Sequence, residues 1–471
     1  MPERLESPCS LLGPSNFKRE PSILLQNQIQ LKTKSLEHKE VAGYCLGAVG
    51  SNVIYALVAT YLLVFYTESI GLKAAAVGTL LLVVRVWDSV MDVLMGMLVD
   101  NTTSRWGRFR PYLLFGGVLT GISTAACFLS PNVSDAGKLI YAYISYIMWS
   151  MSYTICDIPF WSLTAAMTEN AVERTHLVSL SRTGAQLGYW IVFVGVLPAV
   201  KLFGGSWATV GILAAAAGST GFIIAFSTVR EHRAVPRVHR QTPATALRFF
   251  KANRPLRYLM IVCLLLEVVS NIRGVFTYYF FKYYLGRADL IPYSMATYIT
   301  LVIAGCVCAP LVVGRWRKIQ GIVYAYLFVG AGTMAMYFVR HNIMALMVIT
   351  AATGFMDGAG NIIRNSCLAD CVEFGEWKTG NRAEGLVFSA NIFKTKVASA
   401  LAGAIPAYLL ASLGYIPNTI QSITTLHWIA LFYTVILGAA ATVAVIPLLG
   451  YEISESRYEA ILGELDYRRR S

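Results

Sequence analysis

Apolar runs of about twenty residues recur along almost the whole chain, and that recurrence restricts it to a membrane architecture. The 471 residues are 56% hydrophobic and only 14% charged, with mean hydropathy +0.56. A soluble domain carries roughly 25% charged residues. The runs do not alternate polar and apolar residues as barrel strands do, so helices are expected. Their spacing predicts twelve spans, near 41–66, 73–99, 111–131, 138–166, 176–203 and 206–228, then 258–284, 293–314, 321–339, 343–371, 385–413 and 423–449. The expectation is an all-α membrane protein with twelve transmembrane helices in two six-helix halves, 41–228 and 258–449. A basic central loop, 229–257, separates them. Residues 1–40 are polar, lack the apolar core of a signal peptide, and are expected to be a disordered tail. Residues 450–471 form a second tail.

The net charge of +13 could suggest nucleic acid, but the basic residues cluster in alternate loops. That is the positive-inside pattern. It predicts a multi-pass plasma-membrane protein with both termini and the central loop cytoplasmic, and no nucleic-acid partner. The nine cysteines are scattered and form no C-x-x-C pair. They read as small packed hydrophobes, with no disulfide frame and no metal site. No Walker A loop is present, so an ATP-driven pump is not expected. No catalytic cluster with suitable spacing marks the chain as an enzyme.

Within one apolar run, LLLVVRVWDSVMDVLMGMLVD, two carboxylates stand one helical turn apart. They are Asp88 and Asp92, with Arg85 on the same stripe. A carboxylate at the bilayer centre costs ~2.5–3.5 kcal/mol even on lenient scales. Two together are tolerable when they face a polar cavity, bind a cation or share a proton. The pair therefore points to ion or proton coupling. Pairing with Arg85 and Lys396 is the structural alternative. Asp157 and Trp161 are also i, i+4, so an acceptor carboxylate and an indole share a face suited to a sugar. Arg182 lies among small and polar residues in SLSRTGAQLGYW.

Longer motifs carry a resemblance. RVWDSVMDVLMGMLVDNTTSRWGRFRPYLLFG, YAYISYIMWSMSYTICDIPFWSL, RADLIPY, DCVEFGEWKTGNRAEG and LGYIPNTIQS occur in this order between about 41 and 465. Together they resemble the glycoside–pentoside–hexuronide:cation symporters, the melibiose permease-like branch of the major facilitator superfamily. The resemblance implies a major facilitator fold that moves a sugar with H⁺, Na⁺ or Li⁺, and no cofactor. It places the cation at Asp88, Asp92 and Thr154. It places the sugar at Asp157, Trp161 and Arg182, with Lys396 linking the halves.

The departures from that pattern bear on the ligand. The family's first-helix Lys-Asp is Ser51-Asn52 here, so a negative charge leaves the sugar site. A second-helix Asn becomes Met91, and a thioether is a poor ligand for Na⁺. H⁺ is therefore the favoured coupling ion, with transient Na⁺ at Asp88 and Asp92 the alternative. A tenth-helix Trp becomes Asn361, and Arg364 stands nearby. Fewer negative groups and an extra Arg favour an anionic sugar or glycoside. Arg364 could equally pair with Asp357 or Asp370. Lys394 and Lys396 face different ways, with Lys396 the one expected in the cavity. Glu267 and Arg273 are expected to pair with each other. Arg105, Arg108, Arg110, Glu376 and Arg382 are expected to make loop and gate salt bridges. Competing readings are a Na⁺-coupled lysophospholipid transporter and a sugar sensor that does not transport. Membrane lipid is the expected surround, and a monomer the expected state.

Overall fold

The computed structural model describes residues 36–102, 104–168, 171–232, 249–313, 318–380, 384–453 and 455–470. Among the described residues there is no strand. The helices are α1 (His38–Ser69), α2 (Ala74–Asn101), α3 (Arg110–Cys127), α4 (Asp135–Ser162), α5 (Ala171–Leu202) and α6 (Trp207–Thr228). They continue as α7 (Arg254–Tyr284), α8 (Ile291–Val313), α9 (Lys318–Ala335), α10 (Ile343–Thr379), α11 (Glu384–Ser412) and α12 (Ile423–Gly450). A last helix, α13 (Glu455–Arg470), follows. Seven of them, α1, α5, α6, α7, α8, α10 and α12, are long and apolar enough to cross a membrane by length and composition.

Two of the boundaries that differ from the sequence expectation have a local reason. α7 starts inside the stretch read as central loop. Asn253 caps it by accepting from Leu256 N at 3.1 Å, and Pro255 fills the first turn, where no donor is needed. α10 runs past the expected end at 371. It stops only at Gly380, whose φ of 74° closes the helix in the left-handed conformation.

Helices α1–α6 pack among themselves and α7–α12 among themselves, with two main seams between the sets, α2 on α11 and α5 on α8. Small residues let helix backbones approach closely. Gly305 on α8 faces α10 at Phe355, and Gly358 on α10 faces α8 at Val302. A Cβ on either glycine would collide with the facing backbone.

The apolar core is not evenly shared. At the end opposite the chain termini, one buried cluster runs through both helix sets, from Leu57, Tyr61 and Phe65 on α1 to Phe276 and Phe280 on α7 and Tyr433 on α12. At the terminus-bearing end the cores are separate. One, with Tyr44, Leu113 and Phe222, belongs to α1–α6. The other, with Leu259, Tyr326 and Phe374, belongs to α7–α12 and α13. The two sets are therefore fused at one end and parted at the other.

Candidate functional site

α2 and α4 bring the first cluster together. Ser150 and Thr154 are one turn apart on α4, so both hydroxyls face α2. Asp88 accepts from Ser150 at 2.8 Å and from Thr154 at 2.9 Å. Thr154 also reaches Asp92 at 3.3 Å. Arg85 lies 3.6 Å from Asp88 and Lys396 lies 3.5 Å from it. Lys396, on α11, also forms an ion pair with Asp92. Two carboxylates thus meet two cations, one fixed on the same helix and one delivered from the other helix set. Asp88 is 6% exposed and Arg85 9%. Removing one partner from such a buried pair leaves an uncompensated charge, at a cost of about 3–5 kcal/mol. Ser150 is absent from the sequence expectation.

The second cluster lies deeper along α4. Trp161 Nε1 donates to Asp157 at 2.9 Å. The exposed Arg182 guanidinium stacks over the Trp161 ring at 4.2 Å. The ring thereby joins Asp157 and Arg182 in one wall. Ser51 and Tyr153 share a hydrogen bond of 3.1 Å, and Tyr55 lies against both Tyr153 and Tyr189. Asn52 donates one amide N–H to Ala48 O at 2.9 Å, which leaves its second N–H and its carbonyl oxygen to offer elsewhere.

The α7–α12 side differs from the sequence expectation in three ways. Glu267 pairs with Lys394 rather than with Arg273. Arg273 donates instead to Thr353 at 3.0 Å and lies over the Tyr298 ring. Both lysines of α11 are engaged, Lys394 toward α7 and Lys396 toward α2. Their two-residue spacing sends them to opposite helix sets. Arg364 pairs with neither expected partner. Asp370 is taken by Lys318 at 2.8 Å, and Asp357 accepts from Tyr298 at 2.5 Å and Tyr326 at 2.9 Å. Arg364 sits over the Tyr326 ring at 5.1 Å, and its buried Nε and Nη1 have no hydrogen-bond acceptor. Asn361 accepts from Asn365 at 2.9 Å.

The loop residues Arg105, Arg108 and Arg110 make further contacts beside the end of α6. Glu231, just after α6, accepts from the backbone N–H groups of Arg108, Phe109 and Arg110 at 2.8–3.0 Å. Its carboxylate occupies the space beside Gly107, which has φ 105°, so a glycine is needed there. Arg108 donates to Val99 O at 3.0 Å, Arg110 to Phe226 O at 2.7 Å, and Arg105 stacks on Trp106. Glu376 lies in the last turn of α10. Arg382 lies outside the described residues. Glu231→Ala removes the acceptor from three N–H groups at the start of α3. It will lower stability by about 2 kcal/mol, read as an earlier thermal unfolding midpoint in detergent. An unchanged midpoint would show that water replaces the carboxylate there.

Buried opposite charges on two helix sets, fused at one end and parted at the other, are the arrangement a secondary transporter requires. The sequence matches the family described as "MFS/sugar transport protein" over residues 43–455, and the chain belongs to that family of multi-pass membrane proteins. It is 35% identical over 449 residues to "Uncharacterized symporter YnaJ" of Bacillus subtilis (strain 168), covering 92% of this chain and 96% of that protein. It is 30% identical over 426 residues to the "Isoprimeverose transporter" of Lactiplantibacillus pentosus, covering 88% of each. The "Glucuronide carrier protein homolog" of Escherichia coli (strain K12) is 29% identical over 451 residues, with 93% of this chain and 97% of that protein covered. Among solved structures, a peptide transporter POT in complex with sulfate superposes with a TM-score of 0.64 at 13% identity, over 93% of this chain and 99% of that one. That likeness is one of fold alone.

Proposed function

We propose that this protein is a sugar:cation symporter working by alternating access, with one monovalent cation moved per sugar. The carrying observation is the four-charge cluster in which Lys396 of one helix set neutralises Asp88 and Asp92 of the other. With Arg85 and Lys396 in place the cluster is neutral. Binding one cation at the carboxylates makes Lys396 surplus and releases the tie between α2 and α11. Family membership and the names of the relatives support a sugar as the cargo. The wall of Asp157, Trp161 and Arg182, with Asn52 beside it, offers acceptors, an aromatic face and a fork of donors. Isoprimeverose and a glucuronide, named for two relatives, bracket the choice between neutral and acidic sugar. The acidic one is favoured, because Asn52 and Asn361 carry no charge while Arg182 and Arg364 remain. The basic residues of the loops support cytoplasmic termini.

The coupling ion is H⁺. Met91 offers no hard oxygen, and a metal ion would sit within a few ångströms of the Arg85 and Lys396 charges, which repel it. A proton binds on the carboxylate itself and needs no such space. Uptake in proteoliposomes should follow an imposed pH gradient and ignore added Na⁺ at fixed pH. A strong Na⁺ response would reverse the assignment, with the Ser150 and Thr154 hydroxyls as the extra oxygen ligands. Ser150→Ala would then weaken the Na⁺ response. Met91→Asn should create Na⁺ sensitivity where none exists.

A further inference from the structure

We propose that Glu68 is the positioning residue that decides to which side the transport site opens. It is the centre of a latch between the two helix sets at the end opposite the termini. The proposal rests on the alternating-access reading above.

Glu68 is the only acidic residue in the last turns of α1, and its side chain is 5% exposed. Among the described residues, every group that donates to its carboxylate comes from the other helix set. Lys282 Nζ reaches it at 2.6 Å and Tyr283 Oη at 2.7 Å, both from the end of α7. Tyr415, just beyond α11, donates to the same carboxylate. Asn418 donates to the Glu68 backbone carbonyl at 2.5 Å and accepts from Lys282 at 2.9 Å. Asn418 takes φ 55°, the one non-glycine residue in that region among those described.

The local backbone is shaped for this contact. The last turns of both partner helices, Phe65–Ser69 on α1 and Phe280–Tyr284 on α7, are π-helical. Such turns are rare and recur at functional positions. Each places its polar residue at the seam just beyond the fused apolar core. Next to Glu68, Thr67 meets Tyr279 at 3.3 Å, and about two turns further in Tyr61 meets Met295 on α8 at 3.5 Å. Opening this end requires the Glu68 contacts to break together, leaving a carboxylate and an ammonium to be rehydrated. Charge-assisted bonds are about twice as strong as neutral ones, so the latch biases the resting protein toward closure at this end. Among the described residues, hydrogen bonds cross between the sets in the latch, the fused core and the middle of the seams.

The test needs neither the sugar nor the ion. Two cysteine reporters are labelled with a polar maleimide in nanodiscs and read above the background of the parent protein. Met295→Cys, at a position 5% exposed, reports opening of the latched end. Asn365→Cys, at an exposed position on α10, reports access from the parted end. Glu68→Gln should speed labelling of the first about ten- to hundredfold, the loss of one charge-assisted bond, and slow labelling of the second. Tyr283→Phe removes a single donor and should shift both rates the same way by a smaller factor, so it serves if Glu68→Gln fails to fold. The exchange Glu68→Lys with Lys282→Glu should return both rates toward the parent values. Unchanged rates would overturn the proposal, as would faster labelling of both reporters, which is loosening without alternation. Sugar counterflow in the same variants tests transport itself. Counterflow with unchanged labelling removes the latch and leaves the transporter, whereas labelling that shifts without any counterflow removes the transport reading.

Discussion

Asp88→Cys and Asp92→Cys will each abolish sugar accumulation while leaving exchange of sugar across the membrane partly intact. One elementary charge moved through 100 mV is worth about 2.3 kcal/mol, which sustains roughly a fiftyfold gradient. That gradient should fall to none in either variant. The reason is specific to the geometry. Lys396 is bound to both carboxylates, so its release is tied to their occupancy, and a cysteine cannot hold it. The proposed sugar contacts on α4 and α5 are untouched, so downhill exchange should survive. Uptake against a gradient in both variants would show that these acids are structural partners of Arg85 and Lys396, with coupling elsewhere.

A second large effect is expected from ligand charge. Methyl glucuronide should bind ten- to a hundredfold more tightly than methyl glucoside, as a charge-assisted hydrogen bond contributes ~1.5–3 kcal/mol. Arg364 is the expected discriminating group. It lies over Tyr326 with two buried nitrogens lacking acceptors, a cost that a ligand carboxylate would relieve. Arg364→Gln should erase the difference between the two ligands while leaving glucoside binding near its original value. Arg182→Gln erasing it instead would move the seat to the α4–α5 wall, where Arg182 is already accessible. Equal binding of the two sugars by the parent protein would remove the anionic reading altogether.

Much of the site is legible in the sequence because intramembrane polar residues are costly and helical spacing is regular. Asp88 and Asp92 stand out in an apolar run, and their i, i+4 spacing puts them on one face. Asp157 and Trp161 do the same, and the structure joins them by a hydrogen bond. Thr154 comes only from the family resemblance, and Ser150, one turn before it, carries no mark of its own. A lone hydroxyl in an apolar helix is common and gives no sign of which helix it faces. Glu68 is invisible as a functional residue. A glutamate at the end of an apolar span reads as a surface group, since its partners lie 214 to 350 positions away.

Apolar length and helical period are properties of neighbouring residues. The helical membrane class and the location of the charges along each helix therefore follow from the chain alone. Which charge meets which does not, and the packed bundle settles it. Packing sends Lys394 to Glu267 and Lys396 to Asp88 and Asp92. It gives Asp357 to two tyrosines, leaves Arg364 without a carboxylate and fuses the apolar core at one end only. Those outcomes depend on helix crossing and rotation, where every buried charge competes for the same few partners. No spacing along a single helix encodes the result of that competition.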